Sequence, residues 1–575
     1  MIDAMCPVRD TRELSGVYRF GRQPADLYRQ WSRHRSPSGN RCALDGRIDH
    51  QDGDSEARVL ALYEERGLVG LRGLIGDWSL VIWDAQRRAV VLASDFAGTR
   101  PLYYSCSSGS VAWSTSLSRM VRMTGQRQLD LDFAAEFLYS GFPEGLTPYK
   151  GIYPVPAGQA LIVTRSGVEK VVLWTPPVEG SIHYAAETEY EERFRALFED
   201  AVAVRLQTPA PVAAELSGGL DSSSIVCMAD RLIRSGAAPA TGVVTFSYEV
   251  TGSPDQRYME EVERMCPTVS PLHLDGDAFP LMTGHTSVGR PTLAERRLRE
   301  LRSHMEAAGC GALLTGQFGD LITGNVLDDS VQAADYLRRG RFLAASRELL
   351  AWGRSARTPV YGLLRRALRT AFGQPVPSPE LQDEDNSLAA RMRERALDRL
   401  QQRAVDPALQ CAIPSRRQKL FAMRSLFASR AFQCPEPLDG LIYSHPFTHR
   451  PLVEFMLSIP PALICRPGEP RRLMRRALRG ILAEPVWRRR SKGNYEGMFL
   501  RGMRVCGAVL LKDPESMLLV QLGCVDAASV SRRLLRLSQG LESNGAQLRQ
   551  IILLEFWLRQ RFQDGDLTEG DGPNV

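Results

Sequence analysis

The segment that most constrains this chain is a glycine- and serine-rich stretch at residues 217–223, Ser-Gly-Gly-Leu-Asp-Ser-Ser. It follows an apolar run at 212–216 and precedes a helical pattern that begins at Ser224. A strand, a tight turn and a helix start are therefore predicted in that order. Such a turn aims backbone N–H groups and the positive end of a helix at one point, and its glycines let an anion approach closely. The pattern predicts a phosphate-binding loop; the alternative is a plain surface turn.

This segment differs from the commonest phosphate loops. It lacks the Gly-Lys-Ser/Thr of the P-loop and the G-x-G-x-x-G of dinucleotide-binding folds. It resembles the pyrophosphate loop of ATP pyrophosphatases, which cleave ATP between the α and β phosphates and adenylate a substrate. The hydroxyl groups of Ser217, Ser222 and Ser223 can donate to phosphate oxygens, and Asp221 can hold a Mg²⁺ ion that also touches them.

Composition indicates an ordinary globular protein of more than one domain. The chain has 575 residues, of which 44% are hydrophobic and 24% charged, and its net charge is +6. This charge is small for the length, so it predicts no nucleic-acid partner. The most basic stretch, 471–479, interleaves arginines with leucine and alanine, which favours an amphipathic helix with a solvated face. Some of these arginines are also suited to phosphates or peptide carboxylates.

The cysteines and the N-terminus bear on location. The eleven cysteines are scattered and form no C-x-x-C pair, which argues against a disulfide framework or a structural zinc site. His445 and His449 have helical spacing, but Pro446 lies between them and no third ligand is evident. No signal-peptide pattern or bilayer-spanning apolar run is evident. We therefore expect a cytoplasmic protein with no membrane partner.

The periodicity of the chain changes near residue 180. The first part reads as strands and turns with one helix at 54–66, and a linker is predicted at 174–180. The expected domains are therefore 1–180 and 181–575. In the second part a long helix from Glu187 is followed by strands that alternate with helices, which predicts a parallel sheet with ligands at the carboxyl ends of its strands. The predicted strands cover 212–216, 242–248 and 312–316.

Motifs of both parts, in the same order, resemble those of the asparagine-synthetase superfamily. The first part resembles its glutamine-hydrolysing domain at 45–48, 54–56, 76–79 and 95–104. The second resembles its ATP-dependent synthetase domain at 217–223, 315–320, 445–447, 452–455, 475–478 and 490–492. The resemblance implies an N-terminal Ntn-hydrolase-like αββα domain, of α+β class, followed by an α/β domain. That second domain would have the parallel sheet of the ATP pyrophosphatases and a helical C-terminal part.

The resemblance also implies site residues, with ATP and Mg²⁺ as cofactors. Asp221 and Asp320 lie in motif loops at the predicted sheet edge and are expected to hold the metal; the alternative for Asp320 is a helix N-cap. Lys492 matches the family's catalytic lysine, whose ammonium would stabilise charge on the tetrahedral intermediate and the α-phosphate; the alternative is a solvated basic loop. ATP is expected to contact Leu216, Ser217, Gly218, Gly219, Asp221, Ser222, Ser223, Tyr248, Thr315 and Gly316.

The N-terminal part departs from the family at the nucleophile. A working glutaminase of this family has a cysteine directly after the initiator methionine, and the free α-amino group of that cysteine activates its thiol. Here the second residue is Ile2, and Cys6 would need cleavage before it to expose such an amine. We therefore expect an inactive, structural domain. Asp54 matches the glutamine-holding aspartate and is expected to keep only a role in the fold.

A second departure lies at Gln317. Glutamine-dependent asparagine synthetases carry a glutamate there and β-lactam synthetases a tyrosine that is the catalytic base, whereas an amide takes no proton at neutral pH. The acid that usually follows the metal aspartate is replaced by Leu321. Among the members that use an amine already present in the substrate, the chain resembles the lasso-peptide cyclases most. These adenylate a side-chain carboxylate of a precursor peptide, whose N-terminal amine attacks to close an isopeptide-bonded ring.

The expected function is therefore an ATP-dependent amide ligation that closes a macrolactam in a lasso precursor peptide. The expected partners are that peptide and a leader peptidase or leader-binding protein. Three alternatives stay open: an asparagine synthase using glutamine or ammonia, a β-lactam-synthetase-like ligase of small molecules, and an ATP-binding regulator without catalysis. The general base is unassigned, with Tyr443 and His445 as candidates and Glu436 and Glu454 as weaker ones.

Overall fold

The computed structural model describes residues 14–20, 35–50, 53–278, 282, 288–289, 291, 295–324, 331–373, 386–404, 411–429, 434–490, 496–542 and 545–568. Ile2, Cys6 and Lys492 lie outside these ranges.

Two antiparallel sheets form the N-terminal part. Its elements are β1 (Ser15–Arg19), β2 (Arg41–Ile48), α1 (Ser55–Arg66), α2 (Leu68–Leu71), β3 (Gly76–Asp84), β4 (Ala89–Ser94), β5 (Tyr103–Ser107), β6 (Ser110–Ser114), α3 (Leu117–Thr124), α4 (Leu131–Ser140), β7 (Tyr153–Pro154), β8 (Gln159–Thr164) and β9 (Gly167–Val172). The strand order is β2-β3-β4-β8-β9 in one sheet and β1-β6-β5-β7 in the other. The helix predicted at 54–66 is confirmed.

The alternation of buried residues along β4 explains how these layers stack. Val90 and Leu92 pack with Trp113 of the second sheet, whereas Val91 packs with Val59 of α1. Successive side chains of a strand point to opposite faces, so an all-apolar strand must be covered on both sides. Helices α3 and α4 follow the second sheet. The order helix, sheet, sheet, helix is the αββα arrangement that the sequence predicts.

A five-stranded parallel sheet forms the centre of the second part. Its elements are α5 (Glu187–Ala203), β10 (Val212–Glu215), α6 (Leu220–Arg234), β11 (Val243–Glu249), α7 (Gln256–Met265), β12 (Val269–Asp275), α8 (Glu295–Ala307), β13 (Ala312–Leu314), α9 (Gly319–Thr323) and, later in the chain, β14 (Ile442–Ser444). The strand order is β12-β11-β10-β13-β14, and every pair is parallel.

The sequence patterns reveal three of these five strands and miss the two edge strands. Strand β12 contains Ser270, Pro271 and His273 and is largely exposed, so it lacks an apolar run. Strand β14 has only 3 residues. Low burial weakens the hydrophobic signal of β12, whereas β14 is too short for a pattern to mark it.

Most of the remaining chain is helical. These helices are α10 (Val331–Arg338), α11 (Phe342–Ala356), α12 (Val360–Phe372), α13 (Ala390–Ala404), α14 (Pro414–Ser429), α15 (Arg450–Ser458), α16 (Pro461–Ile464), α17 (Arg472–Ala477), α18 (Glu484–Arg488), α19 (Glu496–Leu510), α20 (Leu518–Gln521), α21 (Ala527–Ser538) and α22 (Gly545–Gln563). In the described ranges, no helix combines the length and apolar character needed to cross a membrane.

Buried charges join the two parts. Glu136 of α4 is fully buried and accepts hydrogen bonds from Arg399 and Arg403 of α13. Glu144 pairs with Arg403 at 3.1 Å and with Arg424 of α14 at 2.9 Å. A buried carboxylate is tolerated only when cations and hydrogen bonds compensate it, so this network fixes α4 against α13 and α14.

Candidate functional site

The predicted phosphate loop follows β10, the middle strand of the parallel sheet, and runs into α6. Gly218 has a φ of +65°, and a Cβ there would lie 2.8 Å from the carbonyl oxygen of Asp255, so this position requires glycine. The backbone N–H of Ser217 donates to Ser222 Oγ over 3.1 Å, which closes the turn. No described side chain caps α6, so its first turn presents backbone amides in the way that suits a phosphate.

The loop after β13 packs directly on the start of α6. A Cβ on Gly316 would lie 2.8 Å from the backbone nitrogen of Ser222, and a Cβ on Gly319 would overlap the carboxyl group of the Asp221 side chain. Only glycine permits so close an approach of two backbones. The motifs at 217–223 and 315–320 therefore meet at one edge of the sheet, as predicted.

The two predicted metal ligands converge on one arginine. Arg471 Nη1 donates to Asp221 Oδ1 over 2.6 Å, its Nη2 donates to Asp221 Oδ2 over 3.0 Å, and Nη2 also bonds Asp320 Oδ1. The N-cap residue of α9 is Phe318, so the alternative role of Asp320 as an N-cap is wrong.

The same convergence fits a magnesium ion. Asp221 and Asp320 both face the Arg471 guanidinium, and Mg²⁺ is usually bound by one or two carboxylates together with substrate phosphates. Within the described ranges, no cluster of three or more His, Cys, Asp or Glu residues could hold a metal ion by itself. The pair of Asp221 and Asp320 therefore suits an ion that arrives with a nucleotide.

Two arginines at this site were missed by sequence reasoning. Arg471 was taken as part of a solvated helix face, but it is buried and its backbone has a φ of +54°. Arg489, from the basic run at 488–490, is also buried; it donates to the carbonyl oxygen of Gly218 over 3.0 Å and bonds Asp255. Periodicity could not reveal either role, because only the tertiary fold brings these residues to the loop. Lys492, three residues after Arg489, lies outside the described residues.

The base candidates separate into two groups. Gln317 Nε2 donates to Tyr443 Oη over 2.7 Å, and Thr315 Oγ1 lies 2.6 Å from His445 Nδ1. Tyr443 and His445 therefore both lie beside the motif at 315–320. The two glutamates are engaged elsewhere: Glu454 accepts from Trp174 and Arg450, and Glu436 accepts from the backbone of Val288.

The two faces of β11 present different groups to the site. Tyr248 lies on the face away from α6, where the Arg297 guanidinium stacks 3.2 Å above its ring centre. Ser247 points to the opposite face, toward α6. The hydroxyl groups of Ser223, Thr245 and Ser247 are buried and have no hydrogen-bond partner among the described residues. Ser247 is therefore a candidate polar contact that the sequence pattern did not single out.

Glu215 was also missed. It is the last residue of β10, directly before the loop, and it pairs with Phe246 of β11. Burial raises the pKa of Glu215 to about 7, although the charge of Arg297 opposes this shift. A carboxyl group at this sheet edge is therefore half-protonated near neutral pH.

The N-terminal motifs serve the fold. Asp54 is the N-cap of α1, and its side chain accepts from the backbone amides of Glu56 and Ala57. Cys42 is fully buried, and burial together with Glu56 and Asp54 raises its thiol pKa well above the usual value. Because the thiolate is the nucleophile, this cysteine is not suited to be one.

Charged residues of the motifs at 45–48 and 76–79 reach the second part. Asp77 is buried and bonds Arg47 at 2.8 Å, Arg205 at 3.0 Å and the hydroxyl of Ser444 at 2.9 Å. Burial opposes the ionisation of Asp77, but Arg205 and Arg47 hold its pKa far below the ordinary value. These bonds connect β3 to β14, the strand that carries Tyr443.

Family models match both parts of the chain. The asparagine synthase model matches residues 193–430 and 438–559, and the glutamine amidotransferase domain model matches residues 42–174. Together they cover the elements that build the site just described.

Curated relatives are similar over shorter stretches. An asparagine synthetase [glutamine-hydrolyzing] of Sandersonia aurantiaca is 26% identical, over 53% of this chain and 57% of its own. A carboxyethyl-arginine beta-lactam-synthase of Streptomyces clavuligerus is 32% identical, over 31% of this chain and 33% of its own. The amidase chyE of Penicillium rubens is 31% identical, over 31% of this chain and 27% of its own. The matched stretch thus spans only about a quarter to three fifths of these relatives.

A solved structure of the allosteric regulatory enzyme of purine biosynthesis is 13% identical and covers 50% of this chain and 70% of that one, with a TM-score of 0.19, too low to support an argument. The family assignment rests instead on the asparagine synthase model, which matches well over half of the residues, and on the meeting of its motifs at one sheet edge. The chain belongs to the asparagine synthase family, with a glutamine amidotransferase-type domain at its N-terminal side.

Proposed function

We propose that this protein is an ATP-dependent carbon–nitrogen ligase that joins a carboxylate to an amine. A carboxylate oxygen attacks the α-phosphorus of ATP, which gives an acyl-adenylate and pyrophosphate. The amine then attacks the acyl carbon, AMP leaves with the bonding electrons of the C–O bond, and the amine nitrogen gives up a proton. The observation that carries this proposal is the meeting of the loop 217–223, Asp320 and the glycines 316 and 319 at one sheet edge.

Each step has residues suited to it. The loop amides and the hydroxyl groups of Ser217 and Ser222 bind the phosphates, and Leu216, Ser223, Thr315 and Gly316 border the nucleotide. Mg²⁺ held by Asp221 and Asp320 would neutralise phosphate charge. Lys492 is proposed to stabilise the tetrahedral intermediate. Arg489, three residues before it, supports this proposal because its side chain donates to the carbonyl oxygen of Gly218 in the loop.

Tyr443 is the proton acceptor in this proposal. Gln317 donates a hydrogen bond to the hydroxyl of Tyr443. The resemblance to β-lactam synthetases implies a tyrosine base at the position that Gln317 occupies here. His445 is the weaker choice, because its Nδ1 lies 2.6 Å from the hydroxyl of Thr315 and its ring packs edge-on between Tyr443 and Phe318.

The amine is proposed to come from the substrate itself. Cys42 is a buried thiol, and Asp54 caps a helix, so neither is available to hydrolyse glutamine. The site then closes a macrolactam in a lasso precursor peptide, with a leader peptidase or leader-binding protein as partner and a cytoplasmic location. Asparagine synthesis and β-lactam formation remain the alternative products, because the relatives named above include both kinds of enzyme.

The purified protein is given ATP, Mg²⁺ and one of three substrate mixtures. These are a short candidate precursor peptide from a neighbouring gene, aspartate with glutamine, and aspartate with ammonium. The proposal expects release of AMP and pyrophosphate, with loss of one water from the peptide by mass spectrometry, only in the first mixture. Glutamate formed from glutamine together with asparagine would contradict it, and Asp320→Asn is expected to abolish every product.

A further inference from the structure

A cleft of about 630 Å³ opens beside α17 and α18. We propose that this arginine cleft is a second pyrophosphate site, the one through which the anion leaves after adenylation. The cleft is defined by Arg472, Arg475, Arg476, Arg479, Arg488 and Arg490, together with Glu191, Gly468, Glu469, Pro470 and Trp487. This inference rests on the proposed function for the origin of the pyrophosphate.

Part of the positive charge in the cleft is already neutralised. Arg472 pairs with Glu187 at 2.8 Å and with Glu469 at 2.7 Å. Arg476 pairs with the same two glutamates at 3.2 Å each. Arg476 also lies 3.8 Å from Glu191. The charges of Arg472 and Arg476 are therefore compensated by carboxylates, so these two arginines do not require an added anion.

The other side of the cleft has no such compensation. Arg475, Arg479 and Arg490 line it, and no carboxylate pairs with any of them within the part of the chain that the structure describes. Arg475 is partly buried and donates to the carbonyl oxygens of Trp487, of Pro470 at 3.1 Å and of Arg489 at 2.6 Å, which fixes its position without cancelling its charge. Burial and the neighbouring charges of Arg471 and Arg490 lower the pKa of Arg475 to about 10. An anion would relieve this repulsion.

The cleft begins one helical turn from the phosphate loop. The backbone N–H of Arg475 donates to the carbonyl oxygen of Arg471 over 3.0 Å, and Arg471 holds Asp221 of the loop. A pyrophosphate that leaves the loop on this side therefore meets Arg475 next, then the exposed guanidinium groups of Arg479 and Arg490.

The chemistry of the lining selects a compact polyanion. Guanidinium groups bind phosphate oxygens in pairs of hydrogen bonds, and Arg479 is held over the ring of Trp487, 5.6 Å from its centre, so its head group is partly ordered before binding. The cleft is large enough for pyrophosphate with its water or its metal ion. It lies outside the loop motif, so pyrophosphate can bind there while a nucleotide occupies the loop.

The test counts pyrophosphate sites by isothermal titration calorimetry on the full chain. The loop is first saturated with α,β-methylene-ATP and Mg²⁺, a nucleotide that cannot be cleaved between its α and β phosphates, and inorganic pyrophosphate is then titrated. We expect one further pyrophosphate to bind. The double variant Arg479→Gln/Arg490→Gln should weaken that binding about tenfold or more. The control is Arg87→Gln/Arg165→Gln, which removes the same charge from exposed positions of the N-terminal part and should change it less than twofold.

Absence of a second pyrophosphate in the wild-type protein overturns the inference, and so does unchanged binding in the Arg479→Gln/Arg490→Gln variant. Failure of α,β-methylene-ATP to bind is a different result. It would overturn the proposed function. The role of the cleft as an exit would then be overturned as well, even if pyrophosphate still binds there.

Discussion

At the scale of single residues, the amide of Gln317 holds an ionisable group of a neighbouring strand. Gln317 is an amide and takes no proton at neutral pH, but it donates to Tyr443 Oη over 2.7 Å. Tyr443 belongs to β14 and pairs with Leu313 of β13. Strand β13 leads to Gln317. A phenol is thereby fixed beside the motif at 315–320.

We expect Tyr443→Phe to separate the two half-reactions. Phenylalanine keeps the ring and its packing, so ATP–pyrophosphate exchange, which reports adenylation, should stay within about threefold of wild type. Amide formation should fall about 100-fold or more, since general-base catalysis contributes on that order. Hydroxylamine, whose nitrogen attacks without prior deprotonation, should still trap the acyl-adenylate as a hydroxamate. Equal loss of exchange and amide formation would assign Tyr443 a purely structural role.

Glu215 makes stability depend on pH. Its pKa rises from 4.5 to about 7 on folding, so the folded state binds the proton more tightly than the unfolded state. The stabilisation is complete below pH 4.5 and is lost as the pH rises toward 7. Glu215→Gln should therefore be more stable than wild type by about 3 kcal/mol at pH 8 and not at pH 4.5. Urea unfolding at both pH values measures this, with exposed Glu169→Gln as the control that should follow wild type.

At the scale of elements, two backbone segments meet closely enough to require glycine. The loop after β13 touches the first turn of α6, and this contact brings the segment that carries Asp320 next to the segment that carries Asp221. An apolar core under both segments keeps the contact rigid, because Leu216, Ile225 and Leu314 belong to one buried cluster. Small displacements of reacting groups are costly to catalysis, so the geometry of this contact matters beyond stability.

We expect Gly316→Ala to reduce ATP affinity at least tenfold while the protein stays folded. The added Cβ would lie 2.8 Å from the backbone nitrogen of Ser222, so one of the two segments must move. Gly362→Ala in α12 is the matched control, because nothing lies within 4 Å of its added Cβ. That control should leave ATP affinity unchanged and stabilise the helix by about 0.5–1 kcal/mol. Titration with a fluorescent nucleotide measures ATP affinity, and thermal melting measures stability. Similar ATP affinity in the two variants would contradict the prediction.

At the scale of the whole molecule, the N-terminal part is tied into the fold through buried charges. One network joins Asp77 to Arg205 and Ser444, and a second joins Glu136 to Arg399 and Arg403. Both end on elements of the synthetase side. The apolar core of α3 and α4 also continues into α13, α19, α21 and α22. The N-terminal part is therefore a structural support of the site whether or not it hydrolyses glutamine.

Glu136→Ala is expected to destabilise the protein by about 3 kcal/mol, because it leaves two arginines of α13 near a buried and now uncharged position. Chemical unfolding should show the loss as a lower midpoint. Glu261→Ala breaks a surface pair with Arg264 and should cost about 1 kcal/mol or less. Comparable losses in the two variants would mean that the network adds nothing beyond an ordinary surface pair.

The sequence by itself determined the phosphate loop, the parallel sheet around it and the family, because strand, glycine turn and helix are adjacent in the chain and their signals are local. It also identified Asp221 and Asp320 as one site, since parallel strands end at a common edge. The tertiary structure decided what lies farther apart in sequence: the bond of Arg471 to both aspartates, the pairing of Gln317 with Tyr443, and the burial that raises the pKa of Glu215. No periodicity encodes these contacts, because they depend on which distant helices and strands pack together.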